Sequence, residues 1–328
     1  MVRIVPEQEL LLHIKLDLDA IADVERGFAA LADGKATVPP IMMIPIPHLD
    51  AEVDIKAAYI EGLDELAVKV ASGFFQNPRK GLPSQSGQML VIDATTGFLK
   101  AVLLDNGYLT QVRTGAAGAV AARYLAPESC ENVGVIGTGA QARFQMRALK
   151  LVRNFTTIRA FSLDPDGVRD AYVREMAEEL GVKVILAQSV EEVVRHSSVV
   201  VTTTPSRTPF LKAEWLHPGL HITSMGSDAE GKQEIDGAVS GSVDVLACDL
   251  KSQSFRLGEL RSAVAAGSIT EESPVVELGE LVNKTHPGRT SEKQITMCDL
   301  TGVGVQDTMI SIRALRIAEN LGLGSRIP

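Results

Sequence analysis

Residues 132–142 constrain the fold of this chain more than any other segment. Their sequence is NVGVIGTGAQA, an apolar run followed at once by closely spaced glycines and then by helix-forming residues. A buried strand, a glycine-rich turn and a helix in this order are typical of the first βα unit of a doubly wound parallel sheet. Gly137 permits the tight turn, Gly139 lets the backbone approach a pyrophosphate, and Ala142 permits close packing of the helix on the strand.

The same turn predicts a dinucleotide site, against the alternative of an ordinary βα turn. The free N–H groups and the positive dipole end of the following helix suit phosphates. An acid about 20 residues further on accepts the adenosine ribose hydroxyls in such sites. Asp164 is the candidate here and favours NAD(H), whereas Ser162, at the end of the predicted second strand, could tolerate a 2′-phosphate. Binding of NADP(H) in place of NAD(H) therefore stays possible at this point.

Hydrophobic patterning predicts the rest of the fold. After residue 132, short apolar strands alternate with amphipathic helices, which indicates a Rossmann doubly wound parallel sheet in the α/β class. Before it, one helix over 18–32 and an extended proline-rich stretch over 39–47 precede strand-like runs, which predicts an antiparallel or mixed sheet. The predicted strands of this first part are 53–60, 65–71, 88–93 and 101–104. Further helices are predicted over 114–124 and 305–321.

Charge and cysteine usage exclude several classes of partner. The formal net charge of -9 opposes nucleic acid and anionic membrane surfaces. Three widely separated cysteines argue against a disulfide framework, and the six histidines show no spacing for a metal site. We therefore expect a cytoplasmic protein without metal, nucleic-acid or membrane partners.

Several separated motifs, taken together, resemble the ornithine cyclodeaminase/mu-crystallin family. They occur in the family order and are LAVKV (66–70) with GFFQNP (73–78), VRTGAA (112–117), GTGAQ (137–141), GSDAEGKQE (226–234) and DLTGVGVQD (299–307). The resemblance is strongest to the ectoine-utilisation branch and to imine reductases such as iminosuccinate reductase. It implies an α+β substrate and dimerisation domain, 1–113 with 306–328, around a Rossmann NAD(P)-binding domain, 114–305. It also implies a homodimer.

The resemblance also assigns roles to individual residues. Arg113 matches the arginine that binds the substrate carboxylate, and a guanidinium fork suits two carboxylate oxygens. Lys69 matches a lysine near the reacting centre, and Asp228 matches an aspartate that exchanges the amine or imine proton or holds the substrate ammonium. Ser84 is also predicted to bind substrate. The residues predicted to contact the cofactor are Arg113, Thr114, Gly137, Thr138, Gly139, Ala140, Gln141, Ser162, Asp164, Thr203, Thr204, Met225, Gly226 and Val303.

Two departures from the family pattern bear on the substrate. Ornithine-type members carry an acid near position 56, where this chain has Lys56, and a further carboxylate-binding arginine, which is absent here between Arg26 and Arg79. A lysine repels ornithine's ammonium and attracts a second carboxylate. We therefore hypothesise an acidic substrate such as aspartate or iminosuccinate, although a solvated strand lysine is the simpler interpretation.

Three functions follow from these residues. The first is an NAD(P)H-dependent imine reductase or amino-acid dehydrogenase that acts at the Cα of a small amino or 2-imino acid. The second is a cyclodeaminase, a lyase that releases ammonia from a diamino acid and returns its hydride to the product. The third is a crystallin-like binding protein without catalysis, which retention of Lys69, Arg113 and Asp228 together disfavours.

Overall fold

A computed structural model describes the backbone of residues 1–328 and every side chain except that of Pro78. The chain divides into two units, Met1–Arg113 with Val303–Pro328 and Thr114–Gly302. The chain returns to the first unit at Val303, ahead of residue 306, where the first domain was predicted to resume. Among the described helices, none combines the length and the apolar character that crossing a membrane requires.

The described residues up to 125 form seven strands and three α-helices. In chain order they are β1 (Val2–Pro6), α1 (Glu7–His13), α2 (Leu18–Ala32), β2 (Ala36–Thr37), β3 (Met42–Ile46), β4 (Ala51–Ile60), β5 (Glu65–Phe74), β6 (Gln85–Asp93), β7 (Leu99–Leu104) and α3 (Tyr108–Leu125). The prediction of a single helix before the strands was wrong, because α1 follows β1 at the start of the chain.

The middle of the chain alternates strands and helices. In chain order they are β8 (Asn132–Ile136), α4 (Ala140–Val152), β9 (Thr157–Phe161), α5 (Asp166–Leu180), β10 (Lys183–Leu186), α6 (Val190–Arg195), β11 (Val199–Thr202), β12 (His221–Ser224), α7 (Gly237–Ser240), β13 (Val245–Cys248), α8 (Lys251–Leu257), α9 (Glu259–Ala265), β14 (Val275–Glu277), α10 (Leu278–Val282) and β15 (Thr296–Asp299). The chain then returns to the first unit as α11 (Gly304–Leu321) and β16 (Ser325–Ile327).

Each unit is built on one sheet. The sheet of the first unit has the order β16-β1-β7-β6-β5-β4-β2, with β3 also paired to β4. It is mixed, since β1 and β7 are parallel and the other pairs are antiparallel. The sheet of the second unit is parallel throughout, in the order β10-β9-β8-β11-β12-β15-β13-β14. The predicted doubly wound α/β fold is confirmed.

The parallel strands are apolar because both faces of their sheet are covered. Ile136, Val200, Ile222, Leu246 and Met297, one from each of five strands, are at most 6% exposed and belong to one core cluster. The strand order reverses between β8 and β11, and ligands of such sheets bind beyond the carboxyl ends of the strands at this point.

Helix α11 packs on α2 and on strands β4 and β5 of the first unit. Its first residue, Gly304, lies so close to β4 that a Cβ there would overlap the carbonyl oxygen of Ala57. A backbone carbonyl within a sheet cannot move aside as a side chain can. The absence of a side chain at Gly304 therefore lets the first turn of α11 approach the sheet.

We predict that Gly304→Ala destabilises the protein by about 2 kcal/mol, the usual cost of overpacking a core. Denaturant unfolding measures the change. Gly167→Ala is the matched control, because Gly167 lies in the first turn of α5 and an added Cβ there would have no atom within 4 Å. Equal stability of the two variants would contradict the close approach.

Candidate functional site

Two lysines face each other across the antiparallel strands β4 and β5. Lys56 is the register partner of Lys69, and the two residues are 7% and 2% exposed. Like charges directly opposite one another destabilise a sheet, and a buried ammonium requires an anionic partner. This pair of strands therefore needs negative charge close to both side chains.

Asp307, in the first turn of α11, supplies a buried carboxylate at this place. Its Oδ2 lies 3.2 Å from Lys69 Nζ, and its Oδ1 lies 2.9 Å from Nε of Arg113, on α3. Arg113 Nη1 also donates a hydrogen bond of 2.8 Å to Oε1 of Gln306. Arg113 is 5% exposed, and Gln306 and Asp307 are fully buried. We call Lys56, Lys69, Arg113 and Asp307 the cation cluster.

Burial and mutual charge shift the protonation of this cluster. Burial lowers the pKa of Lys69 to about 7, the charges of Arg113 and Lys56 lower it as well, and Asp307 opposes the change. Burial alone would raise the pKa of Asp307, but Arg113, Lys69 and Lys56 hold it below its usual value. Asp105 also interacts with Lys69, and burial raises the pKa of Asp105 to about 6. Lys69 therefore changes charge near neutral pH.

The structure brings together three of the four residues predicted to bind substrate. Lys56, Lys69 and Arg113 belong to the cation cluster, whereas Ser84 lies before β6, beyond the end of the β5–β6 ladder. The carbonyl of Ser84 accepts a hydrogen bond from the backbone N–H of Phe74. Asp307 and Gln306 had no predicted role, although both lie in the last family-like motif.

In the second unit, a cavity of about 470 Å³ opens at the carboxyl ends of β8, β9 and β11. None of its lining residues, which are all described, carries a cationic side chain. They are Ile136, Gly137, Thr138, Gly139, Phe161, Ser162, Leu163, Asp164, Val190, Thr203, Thr204, Pro205, Ser206 and Phe210.

The glycine-rich turn has the geometry that a phosphate loop requires. Gly137 has a φ of 108°, a conformation that side chains disfavour, and a Cβ there would overlap Thr203 Oγ1. Gly139 precedes α4, has no atom within 4 Å of an added Cβ, and is exposed. Arg143 on α4 donates to the carbonyl oxygens of Thr138 and Gly139. The backbone N–H of Gly137 donates to the carbonyl oxygen of Phe161, and the open space lies beside Gly139, at the start of α4.

Asp164 lies at the end of β9, where the ribose-binding acid of a dinucleotide site is expected. Its Oδ2 accepts hydrogen bonds from the hydroxyls of Thr138 and Ser162. These bonds fix the carboxylate beside the glycine-rich turn. Its negative charge opposes a 2′-phosphate at this position.

The side chain of Gln145, on α4, contacts three of the residues predicted to bind the cofactor. Its Nε2 lies 2.9 Å from the carbonyl oxygen of Thr114, 3.3 Å from Oε1 of Gln141 and 2.9 Å from Sδ of Met225. Gln145 itself had no predicted role. The signal was its position one helical turn after Gln141, on the same face of α4.

Asp228 and Val303 belong to different units. Asp228 follows β12, its side chain is 44% exposed, and its Oδ1 lies 2.8 Å from Lys232 Nζ. Val303 is buried and precedes α11 in the first unit. The predicted roles of both residues remain predictions. No group of three or more His, Cys, Asp or Glu residues suited to a metal ion occurs in the described part of the chain.

Comparisons of the sequence and the structure with known proteins identify relatives of this chain. The model of the ornithine cyclodeaminase/mu-crystallin family matches residues 3–320. An uncharacterized cyclodeaminase of Sinorhizobium fredii is 44% identical over 98% of both chains. The Δ1-pyrroline-2-carboxylate reductase of Thermococcus litoralis, solved with NADH and L-proline, is 30% identical with a TM-score of 0.94, over 99% of this chain and 100% of that one. The iminosuccinate reductase of Paracoccus denitrificans, solved with NAD+, is 31% identical with a TM-score of 0.90, over 100% and 99%.

We predict that Lys69 makes stability depend on pH above neutrality. Its folded-state pKa of about 7 lies below its ordinary 10.5. Between these values the unfolded state binds more protons, so stability rises with pH through this window. Relative to a Lys69→Met variant, the wild type should gain up to about 1.4 kcal/mol per pH unit.

Denaturant unfolding at pH 7, 8 and 9 measures this gain. Lys100→Met is the control, because the bond to Glu65 raises the pKa of Lys100 above 10.5 and leaves it protonated in both states. The control difference should be constant over this range. A constant difference for Lys69→Met as well would contradict a neutral pKa for Lys69.

Proposed function

The chain belongs to the ornithine cyclodeaminase/mu-crystallin family, and on that premise we propose that it is an NAD(H)-dependent oxidoreductase that reduces a small 2-imino acid at Cα. The observation that carries this proposal is the cation cluster, in which buried Lys69 and Arg113 contact the Asp307 carboxylate and buried Lys56 lies opposite Lys69. Such a cluster suits an anionic substrate that has to be held in one orientation.

The second unit fits a dinucleotide. The positive φ of Gly137, the open space beside Gly139 and the start of α4 suit a pyrophosphate, and Asp164 suits a ribose. Three family members of known structure, the two reductases above and an archaeal alanine dehydrogenase, were solved with NADH, NAD+ or NAD. The bound nicotinamide supplies hydride for the reduction.

The residues of this chain would bind and protonate the substrate. Arg113 grips the α-carboxylate with its guanidinium fork, and Lys69 adds a second charge to the same anion. Gln306 Nε2 has no partner among the described residues and offers a further donor beside Arg113. Asp228 donates the proton that the imine nitrogen takes up during reduction. Because Lys69 loses its charge above pH 7, substrate affinity should fall there.

Lys56 supports an acidic substrate. An α-carboxylate neutralises part of the charge of Lys69 and Arg113, and a side-chain carboxylate would lie favourably against the third cation. We therefore propose iminosuccinate as the substrate and aspartate as the product. Iminosuccinate, NADH and a proton then give aspartate and NAD+. The likeness to the iminosuccinate reductase is consistent with this substrate.

The alternative function is cyclodeamination, which the name of the Sinorhizobium relative suggests for that protein. It requires a substrate with a cationic side chain. Lys56, which is 7% exposed and opposite Lys69, opposes such a side chain by charge repulsion. Ammonia release from ornithine without net change in NADH would support this alternative instead.

We predict that the protein oxidises NADH with ammonia and oxaloacetate faster than with ammonia and pyruvate, because only the former imine carries a second carboxylate. Lys56→Met should raise KM for the oxaloacetate imine about tenfold, equivalent to roughly 1.4 kcal/mol, and leave pyruvate nearly unchanged. Steady-state absorbance at 340 nm measures both. Lys100→Met, at a lysine outside the cation cluster, is the control. Equal effects on the two substrates would contradict the acidic-substrate proposal.

We predict that NADH binds more tightly than NADPH, because Asp164 repels a 2′-phosphate. Asp164→Asn removes this charge and should improve NADPH affinity about tenfold, roughly 1.4 kcal/mol. Asp166→Asn, which removes an exposed charge at the start of α5, is the control and should have little effect. Fluorescence titration of both coenzymes checks the ratio, and an unchanged ratio for Asp164→Asn would rule out this role.

A further inference from the structure

Glu234 is a fully buried acid of the second unit that the proposed chemistry does not use. Its Oε1 accepts hydrogen bonds from the backbone N–H and the hydroxyl of Thr204, at 2.6 and 2.8 Å. Its Oε2 accepts from the hydroxyl of Thr202 at 2.6 Å and from the backbone N–H of Gly226 at 2.8 Å. One carboxylate thus joins the chain segments that leave β11 and β12.

Glu234 is itself held firmly. Its backbone N–H donates to Oε1 of Glu259 at 2.7 Å, and its carbonyl accepts from the backbone N–H of Phe210 at 2.8 Å. Its carboxylate is therefore a fixed point to which Thr202, Thr204 and Gly226 are tied.

The bond to Gly226 also closes a loop. Residues 226–234 leave the end of β12 and return to it, and Asp228 lies within this loop. The hydroxyl of Ser227 donates to the carbonyl oxygen of Lys232 at 2.9 Å and holds the loop from inside. Glu234 therefore fixes the base of the segment that carries the proposed proton-exchanging residue.

The strand order indicates which part of a dinucleotide lies here. The glycine-rich turn after β8 and Asp164 after β9 occupy the adenosine side of the reversal in strand order. A dinucleotide crosses this reversal, so its second nucleotide extends over the ends of β11 and β12. These are the two strand ends that Glu234 joins.

We propose that Glu234 is a positioning residue that shapes the nicotinamide half of the coenzyme site and leaves the adenosine half unaffected. This inference rests on the proposed binding of NADH. Glu234→Gln tests it with little change in volume. Because Thr204 N–H and Gly226 N–H point at different oxygens, the amide nitrogen of a glutamine must face one of these donors and lose that bond.

The experiment compares NADH with ADP-ribose, the same ligand without nicotinamide, by isothermal titration calorimetry. Glu234→Gln should weaken NADH binding about tenfold, the order expected for loss of a buried hydrogen bond, and change ADP-ribose binding less than twofold. Asp244→Asn is the control, because Asp244 is exposed and accepts a bond from the backbone N–H of Ile295 at the amino ends of β13 and β15, away from the carboxyl ends of the strands. It should leave both affinities unchanged.

The outcomes separate this inference from the proposed function. If the wild type binds no NADH, the proposed function fails and the inference fails with it. If the wild type binds both ligands and Glu234→Gln weakens both equally or neither, only the inference is overturned. Thr202→Val, which removes one donor to Glu234 and does not line the cavity, is the second variant should Glu234→Gln fold poorly. It should weaken NADH selectively, and an equal effect on both ligands would overturn the inference.

Discussion

The ion pairs of Asp307 with Lys69 and Arg113 are the interaction on which the first unit depends. Without this carboxylate, β4 and β5 would carry two buried lysines opposite one another with an arginine beside them, and removing one partner of a buried pair is strongly destabilising. The position of Asp307 depends in turn on the close approach of α11 to β4 at Gly304. The packing of α11 on the sheet therefore determines whether the cations of the candidate substrate site are neutralised.

In the second unit, neutral hydrogen-bond donors stabilise a buried carboxylate, that of Glu234. The described contacts of the Glu234 carboxylate include no cation, and it accepts hydrogen bonds from two backbone N–H groups and two threonine hydroxyls. Burial raises its pKa, and these hydrogen bonds act in the opposite direction. A carboxylate held in this way orders backbone segments without occupying the cavity. Buried acids therefore have two different uses in this chain, one electrostatic and one geometric.

Local patterns predicted much of the fold. The apolar strands, the glycine-rich turn and the helix over 18–32 follow from periodicity and turn chemistry, which act over a few residues. Helix α3 begins at Tyr108, six residues before its predicted start, because the Asp105 carboxylate accepts the backbone N–H of Leu109. The place of β15 could not be predicted, because it enters the sheet between β12 and β13, and nothing in its four residues indicates that place.

The candidate site was predictable only in part. Lys56, Lys69 and Arg113 could be selected by motif and by the anomaly of charge in apolar strands. Asp307 could not be paired with them, since its partners are far away in sequence and only the tertiary fold brings α11 to β5. Glu234 has the same difficulty, because its partners are backbone groups and hydroxyls on two other loops. A lysine within an apolar run is nevertheless a signal that a distant acid exists.

The two-part make-up of the first unit has a consequence for biosynthesis. The lysines and the arginine leave the ribosome early, and the aspartate that neutralises them is translated only after the whole contiguous second unit. In a nascent first unit these cations would have no buried anion until Asp307 is translated, so we expect this unit to close after the second unit, residues 114–302, has been synthesised. Maturation in the cell would then proceed from the middle of the polypeptide outward, and the cation cluster would form last.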